Sequence, residues 1–227
     1  VGQVEDLEGL TGCTVVICEK GAVCGVDVRG SAPGTRETDL LDPINTIQKV
    51  HAVVLSGGSA FGLESTCGVS RYLEEKNIGF DVGVAKVPIV VGAVLFDLAV
   101  GDPKCRPDME MGYRACEVAN KVELKQGNYG AGCGATVGKI KGPEYAMKGG
   151  IGSYSIKLPN GLVVSALIAV NAFGDVYENG QIIAGVLDDN KSKTLSTYEI
   201  IKSGVTKGGF SIDNTTIGII ATNAKLT

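Results

Sequence analysis

Glycine recurs along the whole chain, at 33 of 227 positions and with no fixed period. That is about twice its usual share of roughly 7 %. Such a density suits tight turns, close backbone packing and positive φ angles. Hydrophobic residues make up 44 % of the chain, enough to build a core and to exclude disorder. The length fits a single domain over residues 1–227. The net charge of −4 comes without a basic stripe, so no nucleic-acid partner is expected. The longest apolar runs, such as residues 161–170, fall short of the ~20 residues a membrane span needs. The opening residues carry no signal-peptide pattern, so none is expected. The seven cysteines are an odd number, and Cys13, Cys18 and Cys24 miss the Cys-x-x-Cys spacing. They read as mostly buried free thiols in a reducing cytoplasm.

Residues 14–18 and 23–28 read as two strands of a hairpin around Glu19, Lys20 and Gly21. A polar loop covers 29–42, and the apolar run 52–55 is a buried strand. After a turn at 56–59, a helix is predicted over 61–76 and is stopped at 77–79. The stretch 86–98 fits neither period. A second helix is predicted over 109–123, then a glycine-rich segment over 128–139. Strands follow at 149–157, 163–171, 176–184 and 217–222, with a helix or mobile segment at 192–202. The class is α+β.

The chain has one histidine, His51. A His-rich zinc site, a His-Glu-x-x-His protease and paired-histidine chemistry are therefore excluded. A Ser–His–Asp triad has only His51 to draw on, and at a strand start His51 reads as structural. Three motifs nearly form. Gly138-Lys139 ends like a phosphate-binding loop, but Cys133 and Ile140 replace its first Gly and its Ser/Thr. Residues 130–135 match a loose dinucleotide pattern with no clear strand before it. Gly57-Gly-Ser59 is followed by a Gly one residue too late for a nucleophile elbow, so Ser59 reads as a turn that leads into a helix. No cofactor or metal is expected.

One strategy needs no imidazole. A Thr or Ser freed at a chain N-terminus takes its own α-amine as base. That amine has a free pKa of about 7.7–8.0. The run Asn214-Thr215-Thr216-Ile217-Gly218-Ile219-Ile220 has the matching form: a polar residue, a Thr, then an apolar strand, after a polar segment over 206–213. It also has the form of an ordinary Thr-rich edge strand.

Blocks spread over nearly the whole chain carry a resemblance. They are Thr11-Gly-Cys-Thr14, Gly25-Val-Asp-Val-Arg-Gly30, Ala32-Pro-Gly-Thr-Arg-Glu-Thr-Asp39 and Leu55-Ser-Gly-Gly-Ser-Ala-Phe-Gly-Leu63. Gly127-Asn-Tyr-Gly-Ala-Gly132, Gly134-Ala-Thr-Val-Gly-Lys139 and Val170-Asn171 complete the set. Together with Asn214-Thr215 the chain resembles the self-processing P1 (S58) peptidases. These include the D-Ala-specific L-aminopeptidase/esterase, the β-peptidyl aminopeptidases and the nylon-oligomer hydrolases. The resemblance implies an αββα sandwich shared with ornithine acetyltransferase, cleavage between Asn214 and Thr215, and Thr215 as nucleophile. It places the family's oxyanion-stabilising Asn on Asn171, its active-site Lys on Lys139 and a Tyr near the substrate on Phe96.

Taken alone, Asn171 suits either an oxyanion donor or a turn residue, and Lys139 either an active-site cation or a solvated one. Phe96 lacks a hydroxyl, so it can only shape the pocket. Pro88-Ile-Val-Val-Gly92 replaces the family's Pro-Ile-Val-Pro-Ala. The implied activity is an aminopeptidase or amidase acting on short peptides or amino-acid amides and esters, in a cytoplasmic homo-oligomer. Acyl transfer of the ornithine acetyltransferase type, and a degenerate ligand-binding member, are the alternatives. Members extend beyond both ends of this chain, with acidic residues after the position of Thr227, so a core truncated at both ends is expected.

Overall fold

The computed structural model describes residues 1–204 and 214–225. Its first layer is a mixed five-stranded sheet of β1 (Gly2–Asp6), β2 (Thr11–Ala22), β3 (Thr35–Arg36), β4 (Val50–Ser56) and β5 (Val90–Val94), in the order β1-β2-β4-β5-β3. Only β4 and β5 run parallel. The connection between them holds helix α1 (Ser65–Glu75), as a parallel pair requires. The second sheet is antiparallel: β6 (Gly150–Lys157), β7 (Val163–Asn171) and β8 (Thr215–Thr222), with β7 in the middle.

Side chains alternate across the first sheet and build two cores. Cys13, Val15, Ala52 and Val54 point to one face, where Val69 and Leu73 of α1 and Ala115 and Cys116 of α2 (Met109–Val118) cover them. Leu55 and Val16 point to the other face, against Ile151, Leu167, Ala169, Ile217 and Ile219 of the second sheet. The result is helices, sheet and sheet in three layers. Among the described residues no helix covers the outer face of the second sheet, where Tyr154 and Ile220 are exposed. Where α1 crosses α2, a Cβ on Gly68 would overlap the Met109 carbonyl and one on Gly112 would overlap that of Ser65. The helices therefore approach at backbone distance.

The α+β class and most elements match the reading from sequence. The expected hairpin over 14–28 does not form. β2 runs on past Gly21, which sits at φ +71 in a register irregularity, and its antiparallel partners are β1 and β4. Residues 23–28 lie outside any strand, and Val23 is exposed. The helix predicted over 61–76 begins as a 3-10 turn, Ser59–Glu64, and continues as α1. Ser59 opens that turn without capping it. The helix predicted to 123 ends at Val118, with Asp108 capping its start through the Met111 N–H at 2.8 Å. The strand expected over 176–184 is a hairpin of Val176–Glu178 and Gln181–Ala184, turned at Asn179 and Gly180, both with positive φ. A helix α3 (Thr197–Lys202) lies within 192–202, capped by Ser196. The polar segment expected over 206–213 lies outside the described residues. All seven cysteines are free, with Cys13, Cys116 and Cys133 buried and the rest half-buried. Burial pushes the Cys13 and Cys116 thiols up to about 12. Among the described residues no helix is long and apolar enough to cross a membrane.

His51 is buried near the start of β4, and its Nδ1 accepts the Ile89 N–H at 3.2 Å. Ser59 lies beyond the far end of the same strand, whose five steps from His51 to Ser56 span about 17 Å. No triad forms between them. Burial and the Lys49 charge hold the imidazole pKa below its usual value. Between that lowered value and about 6.5 the unfolded chain binds more protons, so stability falls as the pH drops through this window. Thermal unfolding between pH 7.5 and 5 should show a smaller loss for His51→Asn, whose Oδ1 replaces Nδ1 as an acceptor without titrating. Equal losses in the two proteins would contradict this account.

Candidate active site

The site is built where β7 ends. Asn171 is the last residue of β7 and pairs across the ladder with Thr215, the first residue of β8. Residues paired in this way project from the same face, with Cβ atoms about 4.5–5.5 Å apart. Here that face is the inner one, shared with Leu167 and Ala169.

Asn171 is fully buried. Its Oδ1 accepts from Lys139 Nζ at 2.8 Å and from the Thr136 N–H at 3.0 Å. Its Nδ2 donates to the Phe96 carbonyl at 2.8 Å. The Thr136 hydroxyl is a third donor to Oδ1, at 3.4 Å, and three donors on the oxygen with a carbonyl on the nitrogen allow one orientation of the amide. One of the two Nδ2 protons is thereby engaged.

Lys139 is 7 % exposed, a burial rare for a lysine. Backbone pairing places it: the Gly138 N–H donates to Gly174 O at 2.8 Å and the Lys139 N–H to Phe173 O at 2.9 Å. This runs the 138–139 segment alongside the chain leaving β7. The ammonium also donates to Asn171 O at 3.2 Å. Asn214 is tied to the same stretch, since its Oδ1 accepts the Phe173 N–H at 3.0 Å. Next to this cluster opens a cavity of about 230 Å³. Phe96, Val100, Pro143 and Ala146 give it apolar walls, and Thr136, Lys139 and Lys148 give it polar ones.

The five residues singled out from sequence thus meet at one end of the second sheet: Asn171 at the centre, Lys139 and Phe96 against its amide, Thr215 at the start of the neighbouring strand and Asn214 just before it. Phe96 lines the cavity, as its side chain suggests. It also holds Asn171 through its main-chain carbonyl, a group every residue has and no sequence pattern marks. Thr136 was missed for a similar reason, because its backbone N–H makes the shorter of its two bonds to Asn171 Oδ1, at 3.0 Å against 3.4 Å from its hydroxyl. Among the described residues no three His, Cys, Asp or Glu side chains stand together as metal ligands.

The profile of "Peptidase family S58" matches residues 1–227. The chain belongs to peptidase family S58. It is 43 % identical over 225 residues to an uncharacterized aminopeptidase of Mycobacterium leprae (strain TN), covering 95 % of this chain and 60 % of that protein. It is 31 % identical over 235 residues to a 6-aminohexanoate-oligomer endohydrolase of Kocuria sp. (strain KY2), covering 100 % of this chain and 62 % of that protein. The chain therefore spans about 60 % of the length of the curated relatives it matches. Among solved structures it is similar to the L-aminopeptidase D-Ala-esterase/amidase of Ochrobactrum anthropi, described as a variant of the Ntn hydrolase fold. The TM-score is 0.55 at 14 % identity, over 94 % of this chain and 50 % of that one. This likeness is one of fold.

Replacing Asn171 by Leu keeps the branched shape but leaves the Phe96 carbonyl without its donor and removes an acceptor from a buried ammonium. Each buried group left unsatisfied costs roughly 1–3 kcal/mol, more when charged. Asn171→Leu should lower the unfolding free energy by about 2–5 kcal/mol in denaturant titrations. A change below 1 kcal/mol would mean that the cluster contributes little to the fold.

Proposed function

We propose that this S58 family member is a self-processing hydrolase that cleaves the amide or ester bond of an N-terminal amino acid or short peptide through an acyl-enzyme on Thr215. The observation that carries the reading is the cross-strand pairing of Thr215 with a buried Asn171, itself held by Lys139.

In the processing step the Thr215 hydroxyl attacks the Asn214 carbonyl carbon. The peptide bond shifts to an ester on Thr215 Oγ1, and water hydrolyses the ester. Asn214 then ends one chain and Thr215 begins the other with a free α-amine. In turnover that amine takes the proton of Thr215 Oγ1 as the oxygen attacks the substrate carbonyl. The nearby Lys139 ammonium favours the neutral amine and so lowers its pKa. The second Nδ2 proton of Asn171 stabilises the tetrahedral oxyanion. A single donor in that role is worth about 2.7–4 kcal/mol. The intermediate collapses, the amine leaving group departs with the proton from the Thr215 ammonium, and water deacylates the ester.

Rigid placement supports this reading. The nucleophile begins a strand paired along its whole length with β7, and Asn171 is locked by three residues, Thr136, Lys139 and Phe96. The 31 % identical endohydrolase and the 43 % identical aminopeptidase bear names of amide-bond hydrolases, which favours hydrolysis over transfer.

Intact-mass analysis of the full protein should show two chains meeting between Asn214 and Thr215. Thr215→Ala should remain one chain and lose at least about 10³-fold in kcat. A single uncut chain together with wild-type turnover in Thr215→Ala would rule the mechanism out.

A further inference from the structure

Asp97 plays no part in the chemistry above, yet it is 3 % exposed. Its carboxylate is held by two donors. Thr11 Oγ1 donates to Oδ2 at 2.7 Å, and the Gly58 N–H donates to Oδ1 at 2.7 Å. Burial raises its pKa, which these hydrogen bonds and the Lys148 charge partly offset. Space for the carboxylate comes from two glycines in separate parts of the chain. A Cβ on Gly57 would overlap Asp97 Oδ2, and one on Gly134 would stand 2.6 Å from Asp97 Cβ. Gly58 sits at φ +79, a conformation that L side chains rarely adopt, and donates its N–H from there.

The residues before Asp97 are clamped as well. Leu95 N–H donates to Ser56 O, and Leu95 O accepts from the Ser59 N–H, both at 2.9 Å. Between the clamped Leu95 and the anchored Asp97 lies the Phe96 carbonyl that takes the Asn171 amide. The carbonyl of Phe96 and the N–Cα of Asp97 share one rigid peptide plane. Whatever fixes Asp97 therefore fixes the direction of that carbonyl.

We propose that Asp97 is a positioning residue of the site: through its hydrogen bonds to Thr11 and Gly58 it sets the Phe96 carbonyl, which orients the Asn171 amide and aims its second proton. The proposal rests on Asn171 as the oxyanion donor for its effect on turnover. Its effect on the amide itself needs no activity. A misplacement of about 1 Å in such a group can cost 10²-fold in rate.

Three variants test this. Asp97→Ala removes both acceptors. Asp97→Asn keeps both bonds, with Oδ1 accepting from Gly58 and Nδ2 donating to a rotated Thr11 hydroxyl. Thr11→Val removes one donor, and it takes the place of Asp97→Ala if that variant does not fold. The readouts are kcat and KM on alanine p-nitroanilide, and the side-chain amide ¹H–¹⁵N resonances of Asn171, assigned by their loss in Asn171→Asp.

Asp97→Ala should lose about 100-fold in kcat with KM within about threefold, and the Asn171 resonances should move. Thr11→Val should show the same changes at about a tenth of the size. Asp97→Asn should stay within about fivefold of wild type, with the resonances in place. Unmoved resonances and wild-type kcat in Asp97→Ala, or in Thr11→Val where it stands in, overturn the proposal. So does an Asp97→Asn as impaired as Asp97→Ala, because the charge would then be the requirement. If the wild-type protein shows no turnover, resonances that move in Asp97→Ala and hold in Asp97→Asn support the positioning role, while the reading of Asn171 as oxyanion donor fails separately.

Discussion

The buried amide of Asn171 is the contact on which the site depends. A fully desolvated side-chain amide is costly unless its oxygen and nitrogen are both paired. Here the partners are three residues from two distant parts of the chain: Lys139 and Thr136 from the glycine-rich segment, and the Phe96 carbonyl from the loop after β5. Satisfying one side chain thus draws together both sheets and the segments between them. The same contact sets the position of Thr215, because the two residues close one end of a shared ladder.

That ladder has a strict register. A slip of one residue between β7 and β8 would turn every side chain of β8 to the opposite face. The inner face holds Leu167 and Ala169 of β7 and Ile217 and Ile219 of β8 against Leu55 and Leu95, so a slip would expose this apolar set. The hydrophobic contact between the sheets and the alignment of Thr215 with Asn171 are one constraint. The glycines act in the same direction. They let helices cross at backbone distance and let a carboxylate sit beside a turn, which side chains at those positions would prevent.

Much of the layout was legible because it rests on local pattern. The apolar runs ending at Asn171 and beginning near Thr215 are strands, and residues around 65–75 and 109–118 are helical. The errors share a cause. Cys24, Val26 and Val28 alternate as a strand would, yet their backbone joins no sheet among the described residues, and the hydrophobic pattern does not say which strands pair. Residues 86–98 resisted assignment because they hold the end of one hairpin, the parallel strand β5 and the loop of Phe96 and Asp97 in thirteen positions. A parallel strand covered on both faces has no alternation to read.

From the sequence alone came the α+β class, the presence of a single histidine in these 227 residues, and a set of blocks specific enough to name a family and to single out Phe96, Lys139, Asn171, Asn214 and Thr215. Those inferences depend on residue type and order, which a sequence states directly. Only the tertiary structure decided that these side chains meet, that Asn171 faces one way, that the main chain of Phe96 holds it, and that Asp97 is buried behind it. Hydrogen bonds to backbone atoms leave no mark on residue identity, and contacts between segments tens of residues apart exist only once the two sheets have packed.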